Sequence, residues 1–189
     1  MTLLIIGLIL WTALHLMRCA APGVRQALHD KLGLGAKGLI AIGILVSVGL
    51  MVVGYRGAEF IPIWTPPAFF GHINNLLMLF AFYVYFQTAT APGTAWIMGN
   101  TKNPQLTGFK IWAFAHLLAN GDLASILLFG GLLAWAVVQV ILGKKTPSLV
   151  DRSKARITSP VVHLAVSLGV FVIVAGIHIW LGVNPFGGV

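Results

Sequence analysis

Long apolar runs separated by short polar segments dominate the chain. Six of these runs have about the length of a helix that crosses a bilayer, roughly 17–25 residues. They are Met1–Met17, Leu39–Tyr55, Ile73–Thr90, Pro104–Gly121, Leu123–Leu142 and Val161–Trp180. The pattern predicts an all-α, polytopic transmembrane helix bundle of about six spans, with residues 1–189 forming a single domain.

The composition supports a membrane protein. The 189 residues are 58% hydrophobic and 8% charged, whereas soluble domains carry about 25% charged residues. Cys19 is the one cysteine, so the chain can form no disulfide within itself and no thiolate cluster for a metal. We interpret Cys19 as a packing residue near a helix end.

The basic residues alternate between loops, which predicts how the chain is oriented. On one side lie Arg18, Arg25, Lys31, Lys37, Lys102, Lys144, Lys145, Arg152, Lys154 and Arg156, and the opposite side has only Arg56. Basic loops remain in the cytoplasm, so both termini are expected on the non-cytoplasmic side. The charges lie in short loops and form no basic stripe. We therefore expect a lipid bilayer as partner, and no nucleic acid.

Histidines are the candidate functional residues, because the sequence has no paired carboxylates, thiolate motif or phosphate-binding loop. His29 is expected in solvent, and His72 and His163 are expected as bonded rings at helix ends. The remaining three, His15, His116 and His178, lie inside apolar runs. An ionisable residue in a membrane helix is by default a candidate functional site.

Axial ligation of haem is the sharper interpretation of His15, His116 and His178. A neutral imidazole binds iron well, and helix bundles present ligands from facing helices. Arg18 or Lys110 would then contact the propionates. The alternative is that each ring forms a hydrogen bond to a neighbouring helix.

One segment carries a specific resemblance. Residues 103–130 read NPQLTGFKIWAFAHLLANGDLASILLFG, and shorter matches are GYR at 54–56, WTPP at 64–67 and HIWLGVNP at 178–185. This pattern resembles the NnrU family of bacterial membrane proteins. The resemblance implies a multi-pass protein of the bacterial inner (cytoplasmic) membrane. It would support nitrite and nitric oxide metabolism in denitrification, with a redox or denitrification membrane partner.

The same family is related to zeta-carotene isomerase of plants, which binds haem b through histidines. The resemblance places the two matching histidines at His15 and His116, and so implies haem b with iron ligated by that pair. His178 is the alternative partner, since its depth in the membrane matches that of His116 better. Two positions depart from the pattern: Asn103 replaces a motif histidine, and Ala113 replaces a cysteine of the isomerase.

Three functional hypotheses follow from these observations. The first is a haem-dependent membrane protein that supports nitrite or nitric oxide metabolism. The second is an enzyme, a haem-dependent cis–trans isomerase of a carotenoid-like polyene. The third is a small transporter or membrane assembly partner without cofactor, in which the histidines only connect helices.

Overall fold

A computed structural model of the protein describes residues 1–98, 101–144 and 155–186. Seven helices are found in this part of the chain. They are α1 (Thr2–Ala20), α2 (Pro22–Leu32), α3 (Gly35–Arg56), α4 (Phe70–Phe86), α5 (Pro104–Ala119), α6 (Leu123–Gly143) and α7 (Pro160–Trp180). A 3₁₀ turn, Gln87–Ala89, follows α4, and α6 contains a π-helical segment, Ile126–Gly130.

Each of the six predicted apolar runs forms a helix, and an extra helix appears between the first two. Helix α2 lies in the segment that was predicted to be a basic loop. The predicted third span extended to Thr90, but α4 ends at Phe86, the 3₁₀ turn covers Gln87–Ala89, and Thr90 is extended. In the third basic loop, four charged residues lie outside the described part of the chain: Lys145, Asp151, Arg152 and Lys154.

Among the described residues, four helices are long and apolar enough to cross a membrane: α1, α3, α6 and α7, with 19, 22, 21 and 21 residues. Their surfaces expose aliphatic side chains, such as Ile9, Leu45 and Val172, which is the surface that lipid requires. Helices α4 and α5 are shorter, with 17 and 16 residues. The expectation of a helical membrane protein is confirmed, whereas the count of six spans and the sides of the termini stay predictions.

The described chain divides into two compact units. The first comprises residues 1–64 and 121–147, and therefore holds α1, α2, α3 and α6. The second comprises residues 65–120 and 148–189, and holds α4, α5 and α7.

Close contact between α1 and α3 organises the first unit. A Cβ atom added to Gly54 would overlap the backbone of Leu3 and Leu4, and one added to Gly7 would lie 2.8 Å from the backbone nitrogen of Met51. The fully buried Ser47 lies in the same contact. Small residues of this kind let membrane helices approach closely, so that dispersion forces hold them together without a hydrophobic effect.

The start of α6 is fixed by a buried carboxylate. Asp122 accepts hydrogen bonds from the backbone nitrogen of Ser125, at 3.0 Å, and from its hydroxyl group. The hydroxyl groups of Ser125 and Tyr55 are hydrogen-bonded at 2.8 Å, which connects α3 to this cap. Asp122 follows the Asn120-Gly121 turn dipeptide, a pattern that predicts a helix start, and the structure confirms that start. This arrangement satisfies the first amide groups of α6 where it enters the apolar region.

In the second unit, α4 and α5 form the tightest pair. A Cβ atom on Gly108 would lie 2.6 Å from the carbonyl oxygen of Ala81 and 2.9 Å from the Cβ of Tyr85. Glycine is therefore required at position 108 for this separation of the helices. The Asn-Pro dipeptide at 103–104 predicts a cap followed by proline in the first turn of α5. Pro104 does lie in that turn, but the side chain of Asn103 makes no capping hydrogen bond. Ser159 does cap α7, by accepting a hydrogen bond from Val162.

A buried histidine joins α7 to α4. The ring of His163 has no exposed surface, and its Nε2 lies 2.9 Å from the carbonyl oxygen of Tyr83. Its Nδ1 is hydrogen-bonded to the hydroxyl group of Thr90, which is also fully buried. The Tyr83 ring packs edge-on against the imidazole at 4.4 Å. His163 therefore has a structural role, with both ring nitrogens in use.

The Gly54 contact can be tested by Gly54→Leu. The added side chain would meet backbone atoms of α1, which cannot rotate away, so the helices must separate. Overpacking of this kind costs about 1–3 kcal/mol or more, and we expect a lower Tm in detergent. Gly49→Leu is the matched control in the same helix, because a Cβ there meets nothing within 4 Å. Equal melting temperatures for the two variants would contradict the packing.

The role of His163 can be tested by His163→Leu. This change leaves the Tyr83 carbonyl without its bond to the ring, at roughly 1–3 kcal/mol for an unsatisfied buried group. It also removes the bond between α7 and Thr90, whose hydroxyl keeps its bond to the Phe86 carbonyl. Thermal unfolding in detergent should show a clear loss of stability. His72→Leu serves as the control, because His72 is exposed. A His163→Leu protein as stable as the His72→Leu protein would argue against a structural role.

Candidate functional site

His15, His116 and His178 share one local geometry. In each case the ring nitrogen Nδ1 lies within hydrogen-bond distance of the carbonyl oxygen four residues earlier in the same helix. The distances are 2.9 Å from His15 to Trp11, 2.9 Å from His116 to Trp112, and 2.8 Å from His178 to Val174. All three rings are half-buried.

This hydrogen bond fixes the tautomer of each ring. A carbonyl oxygen can only accept, so Nδ1 must carry the proton and donate it. In a neutral imidazole the lone pair then belongs to Nε2, at the outer end of the ring. Histidines that bind metals show the same arrangement, in which the second nitrogen donates to a carbonyl or a carboxylate. The three rings are therefore in the form that can act as ligands.

In the first unit, aromatic rings surround His15. The imidazole lies 3.9 Å from the ring of Trp11, one turn earlier, and 5.0 Å from that of Trp135 on α6. One turn further along the same face, the side-chain nitrogen of Gln139 lies 3.7 Å from the sulfur of Cys19. Cys19 thus packs near the end of its helix, as predicted. Trp135 and Gln139 are the partners that the sequence analysis did not identify.

In the second unit, His116 and His178 lie near each other. A positive charge on the His178 ring would act on the His116 ring, so a residue near the end of α5 lies in the neighbourhood of one near the end of α7. The Trp112 ring lies 5.2 Å from the His116 imidazole and 4.9 Å from the Phe109 ring. Asn120 donates a hydrogen bond of 2.8 Å to the carbonyl oxygen of His116 and so closes the end of the helix.

The other histidines have different environments. His29 and His72 are exposed, and His163 uses both nitrogens in hydrogen bonds. Ala113, at the position of the cysteine in the isomerase, is fully buried. Within residues 1–98, 101–144 and 155–186, no group of three or more histidine, cysteine or acidic side chains could hold a metal ion.

Comparisons with known proteins give one match. No curated protein and no solved structure matches the chain. The family model described as NnrU protein matches residues 3–185, which is almost the whole chain and includes every described helix except the first residue of α1. The protein therefore belongs to the NnrU family of membrane proteins.

Proposed function

We propose that the protein binds haem b in the membrane, with His116 as an axial ligand, and that it supports nitrite or nitric oxide metabolism in a bacterial inner membrane. The observation that carries the haem proposal is the Nδ1 hydrogen bond of His116, which leaves the lone pair on Nε2. Imidazole in this tautomer is the usual axial donor to haem iron. The metabolic setting rests on the resemblance to the NnrU family.

The second ligand is His178 or His15. His178 belongs to the same unit as His116 and lies in its neighbourhood, which favours this pair. His15 has the same tautomer and is supported by its match to the isomerase. Both histidines remain candidates, and variants can separate them.

The hydrogen bonds also argue against a purely structural role for these rings. His163 shows what a structural histidine looks like in this protein, since its bonds connect α7 to α4 and to the segment that follows α4. The Nδ1 bonds of His15, His116 and His178 instead go to the helix on which each ring lies. Such a bond orients a ring without connecting helices.

A bound haem b would supply a one-electron redox centre within the bilayer. The chain would contribute the iron ligands, the aromatic surroundings formed by Phe109 and Trp112, and positive charge for the propionates from Lys110 or Arg18. An isomerase that exchanges a cysteine for a histidine ligand is less well supported, because the buried Ala113 offers no thiol. We therefore favour a redox or assembly role with a membrane partner.

An absorption spectrum of the purified protein tests the haem proposal. We expect a Soret band, with sharp bands after dithionite reduction, and loss of most bound haem in His116→Ala. His72→Ala is the control for a nearby exposed histidine and should keep full haem content. A folded wild-type protein that stays free of haem, after expression with haem supply and after reconstitution, would overturn the proposal.

The second ligand is identified by comparing His178→Ala with His15→Ala in the same assay. The variant that removes an axial ligand should change the oxidised spectrum to that of high-spin iron and lower haem retention. The other variant should resemble the wild type. If both variants keep the wild-type spectrum, neither histidine is the second ligand.

We also propose that α4 and α5 cross the membrane, so that six spans place both termini outside the cytoplasm. Each provides about 24–26 Å of helix at 1.5 Å per residue, somewhat short of the roughly 30 Å hydrocarbon core. Short spans are accommodated by local thinning of the bilayer or by packing among longer helices. The excess of basic residues on alternate loops sets the direction.

Cysteine labelling of intact cells tests this topology. In a Cys19→Ser background, a cysteine at Glu59 should react with a membrane-impermeant maleimide. A cysteine at Gln26 should react only after the cells are lysed. Both positions are exposed in the structure, so burial cannot explain a difference. The reverse pattern of labelling would show that the orientation is inverted.

A further inference from the structure

Helix α2 is amphipathic, and within the described part of the chain its apolar side stays largely uncovered. Val24, Leu28 and Leu32 are four residues apart and therefore share one face. Val24 and Leu32 are 61% and 48% exposed, and α2 contains no buried residue. A helix of 11 residues gains little from its own hydrogen bonds, so an exposed apolar stripe of this kind requires another contact.

The charges of α2 are arranged around this stripe. At 100° per residue, Arg25 and Lys31 lie on opposite sides of it, each about 20° beyond its edge. On the far side of the helix, the Gln26 amide donates a hydrogen bond of 2.8 Å to Asp30. The one acidic residue of the helix therefore points away from the stripe, and the two basic side chains lie beside it.

The position of α2 identifies what the stripe contacts. The helix connects the end of α1 to the start of α3, and both of these helices are long and apolar enough to cross a membrane. A helix that joins the ends of two spans lies at the membrane surface. Lys37 and Leu34, the latter 80% exposed, extend the basic and apolar surface to the entry of α3.

We propose that α2 lies in the membrane interface as a binding surface for anionic lipid headgroups. Val24, Leu28 and Leu32 would contact the boundary between headgroups and acyl chains, while Arg25 and Lys31 would extend to lipid phosphates. Aliphatic stems of arginine and lysine follow apolar surface in this way and keep the charge in the polar layer. The charge complementarity favours anionic lipid over zwitterionic lipid.

Depth-dependent quenching in vesicles tests this proposal with the full chain. In a Cys19→Ser background, a fluorescent maleimide is attached at Val24→Cys or, as the matched control on the opposite face, at Gln26→Cys. The proteins are reconstituted in vesicles of phosphatidylcholine, with or without phosphatidylglycerol, that carry a brominated lipid. With phosphatidylglycerol we expect the probe at position 24 to be quenched about twofold more than the probe at position 26.

A charge variant separates lipid recognition from simple proximity to the membrane. Arg25→Gln with Lys31→Gln should reduce the quenching at position 24 to the value in pure phosphatidylcholine, and Gln26→Ala should leave it unchanged. Equal quenching at positions 24 and 26 would overturn the proposal. So would quenching at position 24 that changes neither with phosphatidylglycerol nor with the two charge substitutions. Ready reaction of position 24 with a water-soluble thiol reagent in vesicles would instead indicate a face open to a soluble partner, and would also overturn it.

Discussion

The structure depends on one constraint: inside hydrocarbon, a polar group must find its hydrogen bond within the protein. Asp122 meets it by capping α6 with the help of Ser125 and Tyr55. The apolar helix surfaces gain nothing from leaving lipid, so they must be held by close packing. Gly54 and Gly7 provide this, since they let α1 and α3 approach closely. The helices are thus held by close backbone contact and by a few bonded polar groups.

The same constraint separates the histidines into two kinds. His163 donates from Nε2 to the Tyr83 carbonyl, so its lone pair is on Nδ1, where the Thr90 hydroxyl lies. His15, His116 and His178 donate from Nδ1 to their own helices, so their lone pairs are on Nε2. Identical side chains therefore become structural in one place and suited to ligation in three others. The nearest carbonyl oxygen determines which ring nitrogen carries the proton.

Hydrophobic periodicity predicted the helices well, because each span needs a long apolar run and leaves one in the sequence. The caps at Asp122 and Ser159 have local signals in the sequence, since each joins residues three positions apart. Helix α2 was predicted as a loop because the segment is charged and has low hydropathy. Its three apolar residues are too few to form the long apolar run by which the other helices were predicted. Trp135 and Gln139 were missed for a different reason: their contacts with α1 depend on how two distant helices align, which no local pattern records.

Nitrogen-15 NMR of histidine-labelled protein in lipid tests the central claim most directly. Single substitutions assign the signals, and the shifts of the two ring nitrogens report which one carries the proton. We predict protonated Nδ1 and unprotonated Nε2 for His15, His116 and His178, and the opposite for His163. We also predict loss of the unprotonated Nε2 signal of His116 when haem is added. A proton on Nε2 of His116 in the haem-free protein, or an Nε2 signal that haem leaves unchanged, would contradict the account.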